Sequence, residues 1–285
     1  MQNIIKKAAV LIEAIPYIRK FRNTVTVLKL GGSLEDNAPA INGILKDIIF
    51  LSSVGIKPVL IHGGGRRISA RMEQAGLVPK FLDGLRVTDR AAIKIVKEVL
   101  YKRNLELTRQ FNHLGWKARS LCGKRNEIIW AEKLMPHGKD IGFVGEVSSV
   151  NIRPIIKAFN YGEIPVLTPL GFGNDGQTYN INGDQAACDI AAALKAEKFV
   201  LITDVKGILR DKSDESTIIP TLTAAKARAL IKKGIINTGM IPKVKSIISA
   251  LGNGVKKTHI IDGKIPHAIL LEIFTDKGIG TEIVR

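Results

Sequence analysis

Short apolar runs alternate along the chain with longer stretches in which apolar residues recur every three or four positions. The first pattern is typical of buried strands and the second of amphipathic helices. It predicts strands at 25–30, 57–62, 117–121, 164–168, 198–203 and 257–261. It predicts helices near 38–54, 66–75, 89–113, 151–160, 183–196, 223–233 and 241–252. The alternation indicates an α/β fold with a mostly parallel sheet and helices on both faces.

Two stretches, 77–88 and 126–150, break this rhythm. Turn residues lie within each, Asp83-Gly84 in the first and Pro136-His137-Gly138 in the second, so we expect two hairpins. Hairpins here could form lids over the carboxyl ends of the strands, where ligands of open α/β sheets bind. We therefore expect one fold with two lobes, 23–178 and 179–285.

The first 22 residues are basic, with Glu13 as their single acid, and could be read as a cleaved leader. However, apolar residues recur there at helical spacing, namely Ala8, Leu11, Ile15 and Ile18. This stripe favours a retained amphipathic helix that packs on another surface. Pro16 should kink that helix.

Composition narrows the possible functions. The formal charge is +17, but the basic residues are dispersed and only 5% of residues are aromatic, so we expect no nucleic-acid binding. Cys122 and Cys188 are far apart, which argues against a disulfide scaffold or a zinc site. No apolar run approaches the roughly 20 residues of a membrane span. We expect a cytoplasmic protein, or one of the plastid stroma if an organelle encodes it.

Two glycine-rich turns follow predicted strands. One is Gly31-Gly32, with Lys29 two residues ahead of it, and the other is Gly63-Gly64-Gly65. Without a Cβ, glycine lets backbone N–H groups approach an anion closely. The lysine adds a fixed positive charge. The pair of turns points to phosphoryl chemistry, the alternative being two ordinary tight turns.

A third polar segment contains Asn180, Asn182 and Asp184 at alternate positions. Alternation places all three on one side of an extended segment, where the carboxylate could hold nearby lysines. One of them could instead only cap the following helix. Lys243, just after Pro242 at a helix start, would by itself be read as a surface lysine. The glycines of 171–176 match GxGxxG, but no helix start follows, so a hairpin turn is expected there.

Together these segments resemble the amino acid kinase family, and within it the N-acetylglutamate kinases. The resemblance rests on segments in this order: KLGGS, IHGGGRRI, GLRVTD, GFVGEV, YNINGDQAA, LITDVKGIL, GMIPKV and HIIDGKIPHAILLEIFTDKGIGT. It implies an open three-layer αβα sandwich. It also implies transfer of the γ-phosphoryl group of ATP to the side-chain carboxylate of N-acetyl-L-glutamate, the second step of arginine synthesis.

The resemblance also implies residue roles. The expected catalytic residues are Lys29, Lys243, Asp184 and Gly32. Expected at the amino-acid substrate are Gly63, Gly64, Arg86 and Asn180. Expected at the nucleotide are Thr203, Asp204, Gly207 and Met240. Mg²⁺ would be carried mainly by ATP, without protein ligands.

Residues 14–18 resemble the N-terminal arm of arginine-inhibited family members, in which this helix joins dimers into a hexamer. Residues expected to bind the inhibitor L-arginine are Tyr17, Lys198, His259, Glu272 and Gly278. Glu272 could otherwise be a solvated helix charge. The resemblance further implies a trimer of dimers and a possible trimeric nitrogen-signalling partner. Two alternatives stay open: a kinase for a related acid such as N-acetyl-aminoadipate, and a non-catalytic arginine sensor.

Overall fold

The computed structural model describes residues 2–122, 127–211, 213–236, 239–275 and 278–285, without the side chains of 2–8, 10 and 11. Its strands are β1 (Val25–Leu30), β2 (Lys57–His62), β3 (Phe81–Leu82), β4 (Leu85–Arg86), β5 (Ala118–Leu121), β6 (Ile129–Lys133), β7 (Val144–Val150), β8 (Ile164–Leu167), β9 (Leu170–Phe172), β10 (Thr178–Ile181), β11 (Lys198–Thr203), β12 (Thr221–Thr223), β13 (Lys257–Asp262) and β14 (Thr281–Val284).

The α-helices are α1 (Gln2–Phe21), α2 (Ala38–Ser53), α3 (Gly65–Gln74), α4 (Arg90–His113), α5 (Arg153–Asn160), α6 (Gly183–Ala193), α7 (Ala224–Lys232), α8 (Ile241–Gly252) and α9 (Ala268–Ile273). Each strand and helix predicted from the periodicity is present, with ends that differ by at most a few residues. The pattern did not predict β12, β14 and α9, because each is only three to six residues long.

The central sheet has eight strands in the order β12-β14-β13-β11-β1-β2-β8-β5. Neighbouring strands of this sheet are parallel except β13 and β14, which are antiparallel. Half of the sheet comes from the first predicted lobe and half from the second, and they join where β1 pairs with β11. One sheet therefore crosses both lobes, and the lobe boundary stays a prediction.

Alternate residues of β1 enter two separate hydrophobic cores. Val27 belongs to a core that includes Ala187 of α6 and Val244 of α8. Leu28 belongs to a second core, with Ile48 of α2 and Phe111 of α4. Because successive side chains of a strand point to opposite faces, helices cover both faces of the sheet. The predicted three-layer αβα sandwich is confirmed.

A small second sheet closes on itself from β6, β7, β9 and β10. Both predicted hairpins are present, since β3 pairs with β4 and β6 pairs with β7 in antiparallel fashion. The GxGxxG segment runs from β9 to β10, which are also antiparallel neighbours. The hairpin reading of that segment is confirmed, whereas the closure of these strands into one sheet was not predicted.

α1 is one helix that includes Pro16. At its C-terminal end Phe21 is buried and Ile18 packs on the second core, whereas Ile12 and Ile15 are exposed. The side chains of Ala8 and Leu11 lie outside the described part of the chain. Within that part, no helix combines the length and apolar character needed to cross a membrane.

Candidate active site

The two glycine turns lie side by side because their parallel strands, β1 and β2, end at the same edge of the sheet. The N–H of Gly31 donates to the carbonyl of Ile202 at 2.8 Å, which ties the first turn to β11. A Cβ at Gly31 would lie 2.8 Å from that oxygen, so the close approach requires glycine. The second turn leads into α3, whose first N–H groups have no partner within the helix.

Between the turns lies a cavity of about 240 Å³, which is covered in part by the hairpin of β3 and β4. Seven of the eight residues predicted for catalysis and amino-acid binding line it: Lys29, Gly32, Gly63, Gly64, Arg86, Asn180 and Asp184. These residues come from positions 29 to 184 of the chain. The structure thus brings together residues that were proposed from separate motifs.

The eighth residue, Lys243, reaches the same place from α8. Its Nζ donates to Oδ2 of Asp184 at 2.7 Å, and Nζ of Lys29 lies 2.7 Å from Oδ1. We call these three residues the Asp184 cluster. Burial by itself would raise the pKa of Asp184, but the two ammonium groups outweigh it and hold this pKa well below its usual range. The cluster keeps one net positive charge beside the cavity.

The sequence placed Asn180, Asn182 and Asp184 on one extended segment, and this was wrong. β10 ends at Ile181, and the side chain of Asn182 accepts hydrogen bonds from the N–H groups of Asp184 and Gln185 at 3.0 and 3.2 Å. Asn182 is therefore the N-cap of α6, and Asp184 lies in the first helical turn. All three still line the cavity, because the cap lies at its wall.

Arg86 is buried against α3. Its Nη2 donates to the carbonyl of Gly65 at 2.9 Å and to Oγ of Ser69 at 2.8 Å, and its guanidinium lies 4.7 Å from the ring centre of Phe81. Nδ2 of Asn180 donates to Oγ1 of Thr88 at 3.3 Å, and the backbone N–H of Asn180 donates to the carbonyl of Phe143 at 2.9 Å. Both side chains are thus fixed by the protein while they line the cavity.

A second cavity of about 180 Å³ has mainly apolar walls. It is lined by Gly207 and Met240 from the predicted nucleotide set, together with Val205, Ile208, Leu209, Ile235 and Ile236. Thr203 and Asp204 do not line it. Thr203 is buried at the end of β11, where its Oγ1 accepts from the N–H of Val205 at 3.0 Å. α8 connects the two cavities, since Met240 precedes it and Lys243 is in its first turn.

The described residues contain no group of three or more His, Cys, Asp or Glu side chains that could hold a metal ion. Among the residues that the structure describes, Asp184 is the one carboxylate that lines the cavity between the turns, and both of its oxygens lie 2.7 Å from a lysine. A metal ion there would need ligands from a bound molecule.

The residues predicted for arginine lie near one another, away from the cavity. Nδ1 of His259 lies 2.7 Å from Oε1 of Glu272, and Nε2 lies 3.3 Å from Nζ of Lys198. We call Lys198, His259 and Glu272 the Glu272 cluster. Gly278 adjoins it, because a Cβ there would lie 2.8 Å from Oε2 of Glu272.

Tyr17 of α1 stacks edge-on against Phe274, with 6.4 Å between ring centres. Phe21 of the same helix lies 4.8 Å from Nζ of Lys198. α1 therefore borders the Glu272 cluster. Glu272 is 6% exposed, so the reading of this residue as a solvated helix charge is wrong.

Sequence reasoning missed three buried polar residues behind the glycine turns: Glu35, His62 and Asn104. A Cβ on Gly32 would lie 3.6 Å from Oε1 of Glu35. Burial raises the pKa of Glu35, against the opposing charges of Arg103 and Arg67. One signal could have found His62 and Asn104: each is polar at a position that the periodicity buries, in a strand and in a helix respectively.

Comparison with known proteins shows which family the chain belongs to. The model of the amino acid kinase family matches residues 24–262. A curated relative from Thermoanaerobacter sp. (strain X514), named acetylglutamate kinase, is 48% identical over 280 residues, which cover 98% of this chain and 93% of the relative.

Two solved structures of N-acetylglutamate synthase from Neisseria gonorrhoeae are also similar, each at 29% identity. One, complexed with coenzyme A and N-acetyl-glutamate, has a TM-score of 0.85 and matches 98% of this chain and 63% of its own length. The other, complexed with coenzyme A and L-arginine, has a TM-score of 0.82 and matches 97% of this chain and 65% of its own length. This chain thus spans slightly less than two thirds of those two proteins. From the family match and the curated relative, we conclude that the chain belongs to the amino acid kinase family.

Proposed function

We propose that this chain is an ATP-dependent acetylglutamate kinase, which phosphorylates the side-chain carboxylate of N-acetyl-L-glutamate in arginine biosynthesis. One observation carries the proposal: two lysines from distant parts of the chain meet at one aspartate, beside a cavity between two glycine turns. The 48% identity to an acetylglutamate kinase supports this choice of substrate within the family.

The proposed reaction needs charge stabilisation more than proton transfer. A carboxylate nucleophile is already ionised at neutral pH, so no general base is required. The difficulty is that one anion must approach another, and catalysis then consists mainly of positioning and electrostatic stabilisation. Lys29 and Lys243 would neutralise the transferring group, and Asp184 would hold both ammonium groups in register. Gly32 and Gly64 would supply backbone N–H donors.

In the same proposal, the amino-acid substrate occupies the part of the cavity beneath the β3–β4 hairpin. Arg86 would hold its α-carboxylate, because a guanidinium offers a planar fork of donors. Asn180 and the turn at Gly63 and Gly64 would contact the rest of the substrate. Burial against α3 keeps Arg86 in place before the substrate arrives.

ATP would extend from the glycine turns toward the second cavity, whose apolar walls suit a flat heteroaromatic base. Gly207 and Met240 would contact that base, and Thr203 and Asp204 would lie nearer the ribose and phosphates. Mg²⁺ would be bound mainly by the phosphates and water. It would neutralise part of the negative charge of the phosphates.

Regulation by L-arginine through Tyr17, Lys198, His259, Glu272 and Gly278 is a further part of the proposal. Two observations support it: α1 borders the Glu272 cluster, and a similar solved structure was obtained with L-arginine. Exposed Ile12 and Ile15 on α1 also favour a homo-oligomer, which we propose to be a trimer of dimers. Binding of a trimeric nitrogen-signalling protein stays a prediction.

A hydroxylamine assay, which converts acyl phosphates to coloured hydroxamates, tests the function directly. The purified chain is incubated with ATP, Mg²⁺ and N-acetylglutamate, and in parallel with glutamate or N-acetyl-aminoadipate. We expect the most hydroxamate with N-acetylglutamate, and less of it when arginine is present. Product with N-acetyl-aminoadipate alone would reassign the substrate. No product with any acid, together with measurable arginine binding, would favour the non-catalytic sensor.

A further inference from the structure

His62 is the last residue of β2 and stands directly before the second glycine turn. It is 1% exposed, and its Nδ1 lies 2.8 Å from the carbonyl oxygen of Gly63. A carbonyl oxygen can only accept a hydrogen bond, so Nδ1 must carry the proton. The imidazole therefore holds the carbonyl of the very next residue.

The other ring nitrogen, Nε2, lies 3.3 Å from Nδ2 of Asn104. Nδ2 of Asn104 also donates to the carbonyl of Val166 at 2.9 Å, which fixes the orientation of the amide. An amide NH₂ donates, so Nε2 of His62 must accept. Asn104 is fully buried in α4. A continuous chain of hydrogen bonds thus runs from β8 through α4 to the glycine turn.

The surroundings keep this imidazole neutral. Burial, together with the positive charges of Arg103, Arg67 and Lys29, lowers the pKa of His62 to about 4. At neutral pH the ring therefore has one proton, and both of its hydrogen bonds require that proton on Nδ1. The tautomer and the ring orientation are fixed by the same two partners.

The consequence lies in the peptide that joins Gly63 to Gly64. In a trans peptide the C=O and N–H bonds point in opposite directions. Holding the Gly63 carbonyl at the imidazole thus directs the Gly64 N–H to the opposite side. That turn faces Lys29: a Cβ built on Gly63 would lie 3.8 Å from the backbone nitrogen of Gly32 and 4.0 Å from Nζ of Lys29.

We propose that His62 and Asn104 are positioning residues for phosphoryl transfer, which orient the Gly63–Gly64 peptide so that the Gly64 N–H is aimed at the transferring group. This inference rests on the proposed kinase function. Neither side chain lines the cavity, so neither touches a substrate. Their effect passes through one backbone donor.

The kinetic test uses His62→Phe, which keeps a ring but loses both hydrogen bonds, and Asn104→Leu, which keeps the approximate volume but loses the amide. We expect kcat to fall about 10- to 100-fold for His62→Phe and about threefold to tenfold for Asn104→Leu, with KM for ATP nearly unchanged. The kcat of the double variant should be little lower than that of His62→Phe alone, because both residues act through the same chain of hydrogen bonds. Independent, additive losses would contradict the inference.

Thr108→Val is the matched control. It removes a buried hydrogen bond of 2.8 Å to the Asn104 carbonyl on the same helix, without touching His62. We expect a similar loss of thermal stability and an unchanged kcat. If Thr108→Val lowers kcat as much as Asn104→Leu, the effect is general destabilisation and the inference is wrong. If His62→Phe does not fold, Asn104→Leu and its control still decide.

A second measurement does not depend on activity. Imidazole ¹⁵N spectra of the wild-type chain, with His62 identified by its loss in His62→Phe, should show a proton on Nδ1 and a bare Nε2, unchanged between pH 5.5 and 8. A proton on Nε2, or titration near pH 6.5, would overturn the inference. An inactive wild-type chain would refute the kinase function. The spectra would still show which ring nitrogen of His62 carries the proton. An active wild type with an equally active His62→Phe would refute only the positioning role.

Discussion

The Asp184 cluster and the Glu272 cluster are built from similar residues but differ in where their charge is satisfied. In the Asp184 cluster two lysines share one carboxylate, which leaves a net positive charge at the wall of a cavity. In the Glu272 cluster the carboxylate is surrounded by donors: His259, and the N–H groups of Ile279 and Gly280 at 2.8 and 2.9 Å. A buried charge is therefore not by itself a site for chemistry. An uncompensated charge that faces an opening is what can act on an anion.

The largest effect should follow from the loss of the shared carboxylate. Asp184→Asn removes the charge that keeps Lys29 and Lys243 together, so the two ammonium groups should repel and leave their positions. We expect kcat in the hydroxamate assay to fall about 10²- to 10³-fold. Asp189→Asn is the matched control, because Asp189 is an acid on the same helix whose partner is Gln185. If Asp184→Asn and Asp189→Asn both kept the kcat of the wild type, the Asp184 cluster would have no catalytic role.

Loss of the carboxylate from the Glu272 cluster should lower the stability of the fold. Glu272→Ala leaves His259 and the N–H groups of Ile279 and Gly280 without their acceptor, and we expect the free energy of unfolding to fall by about 3 kcal/mol. Glu282→Ala breaks a partly exposed ion pair with Lys257 and should cost less than about 1 kcal/mol. Urea unfolding measures both.

The same Glu272→Ala variant tests the regulatory proposal. Activity without arginine should be retained, because Glu272 does not line the catalytic cavity. Inhibition by arginine should be lost. Arginine sensitivity equal to that of the wild type would remove Glu272 from the proposed inhibitor site.

Periodicity predicted the layers well because the central strands are buried on both faces and the helices have clear apolar stripes. It predicted the ends of β1, β2 and β11 to the residue. It failed where elements are short, as in β12 and α9, since three to six residues hold less than two helical turns of pattern. The closed four-stranded sheet was beyond its reach, because strand pairing depends on contacts distant in sequence.

The candidate site was predictable to the extent that glycines and lysines mark turns and charges. Capping of the following helix by one of the polar residues at 180, 182 and 184 was predicted only as the alternative, because the same polar alternation also fits an extended segment; the structure assigns this role to Asn182. The buried position of Glu272 was also hidden, since its donors come from the loop before β14 and from β13. Those partners are set by tertiary packing.

Two buried histidines give a pH-dependent comparison: His62, behind the glycine turns, and His259, a member of the Glu272 cluster. Burial and three positive charges lower the pKa of His62 to about 4. Burial also lowers the pKa of His259, but the hydrogen bond to Glu272 offsets part of that shift. Below pH 6.5 the unfolded chain binds protons that the folded chain excludes, so stability should fall as the pH is lowered. For His62 the loss between pH 6.5 and 5.0 should be about 2 kcal/mol.

Urea unfolding at several pH values between 5.0 and 6.5 measures this dependence. His62→Phe should flatten the pH dependence of stability more than His259→Phe does, since the Glu272 carboxylate lessens the shift at His259. Glu272 is the acid with a shifted pKa that His259→Phe deprives of its partner, whereas the contributions of the other such acids are common to both variants and cancel in the comparison. A steeper contribution from His259 would mean that Glu272 does not stabilise the charged imidazole.

The smallest effect separates two adjacent glycines of the second turn. A Cβ on Gly64 would lie 2.7 Å from Cδ2 of Leu100, so Gly64→Ala should lower stability by roughly 1 kcal/mol through overpacking. Gly43→Ala in α2, where a Cβ meets nothing within 4 Å, should slightly raise stability and leave activity unchanged. These two variants frame the result for Gly63.

Gly63 has space for a methyl group, since a Cβ would meet its nearest neighbours, the backbone of Gly32 and Leu30, at 3.8 Å, and its φ lies outside the left-handed region. The fold should therefore accept Gly63→Ala. The new methyl group would stand 4.0 Å from Nζ of Lys29, in the gap where the anion is proposed to approach. We expect kcat/KM to fall about tenfold with an unchanged melting temperature, because a small displacement of reacting groups is enough to slow their reaction. Full activity in Gly63→Ala would mean that the anion does not pass between the glycine turns. The net positive charge of the Asp184 cluster would then not act on an anion at that place.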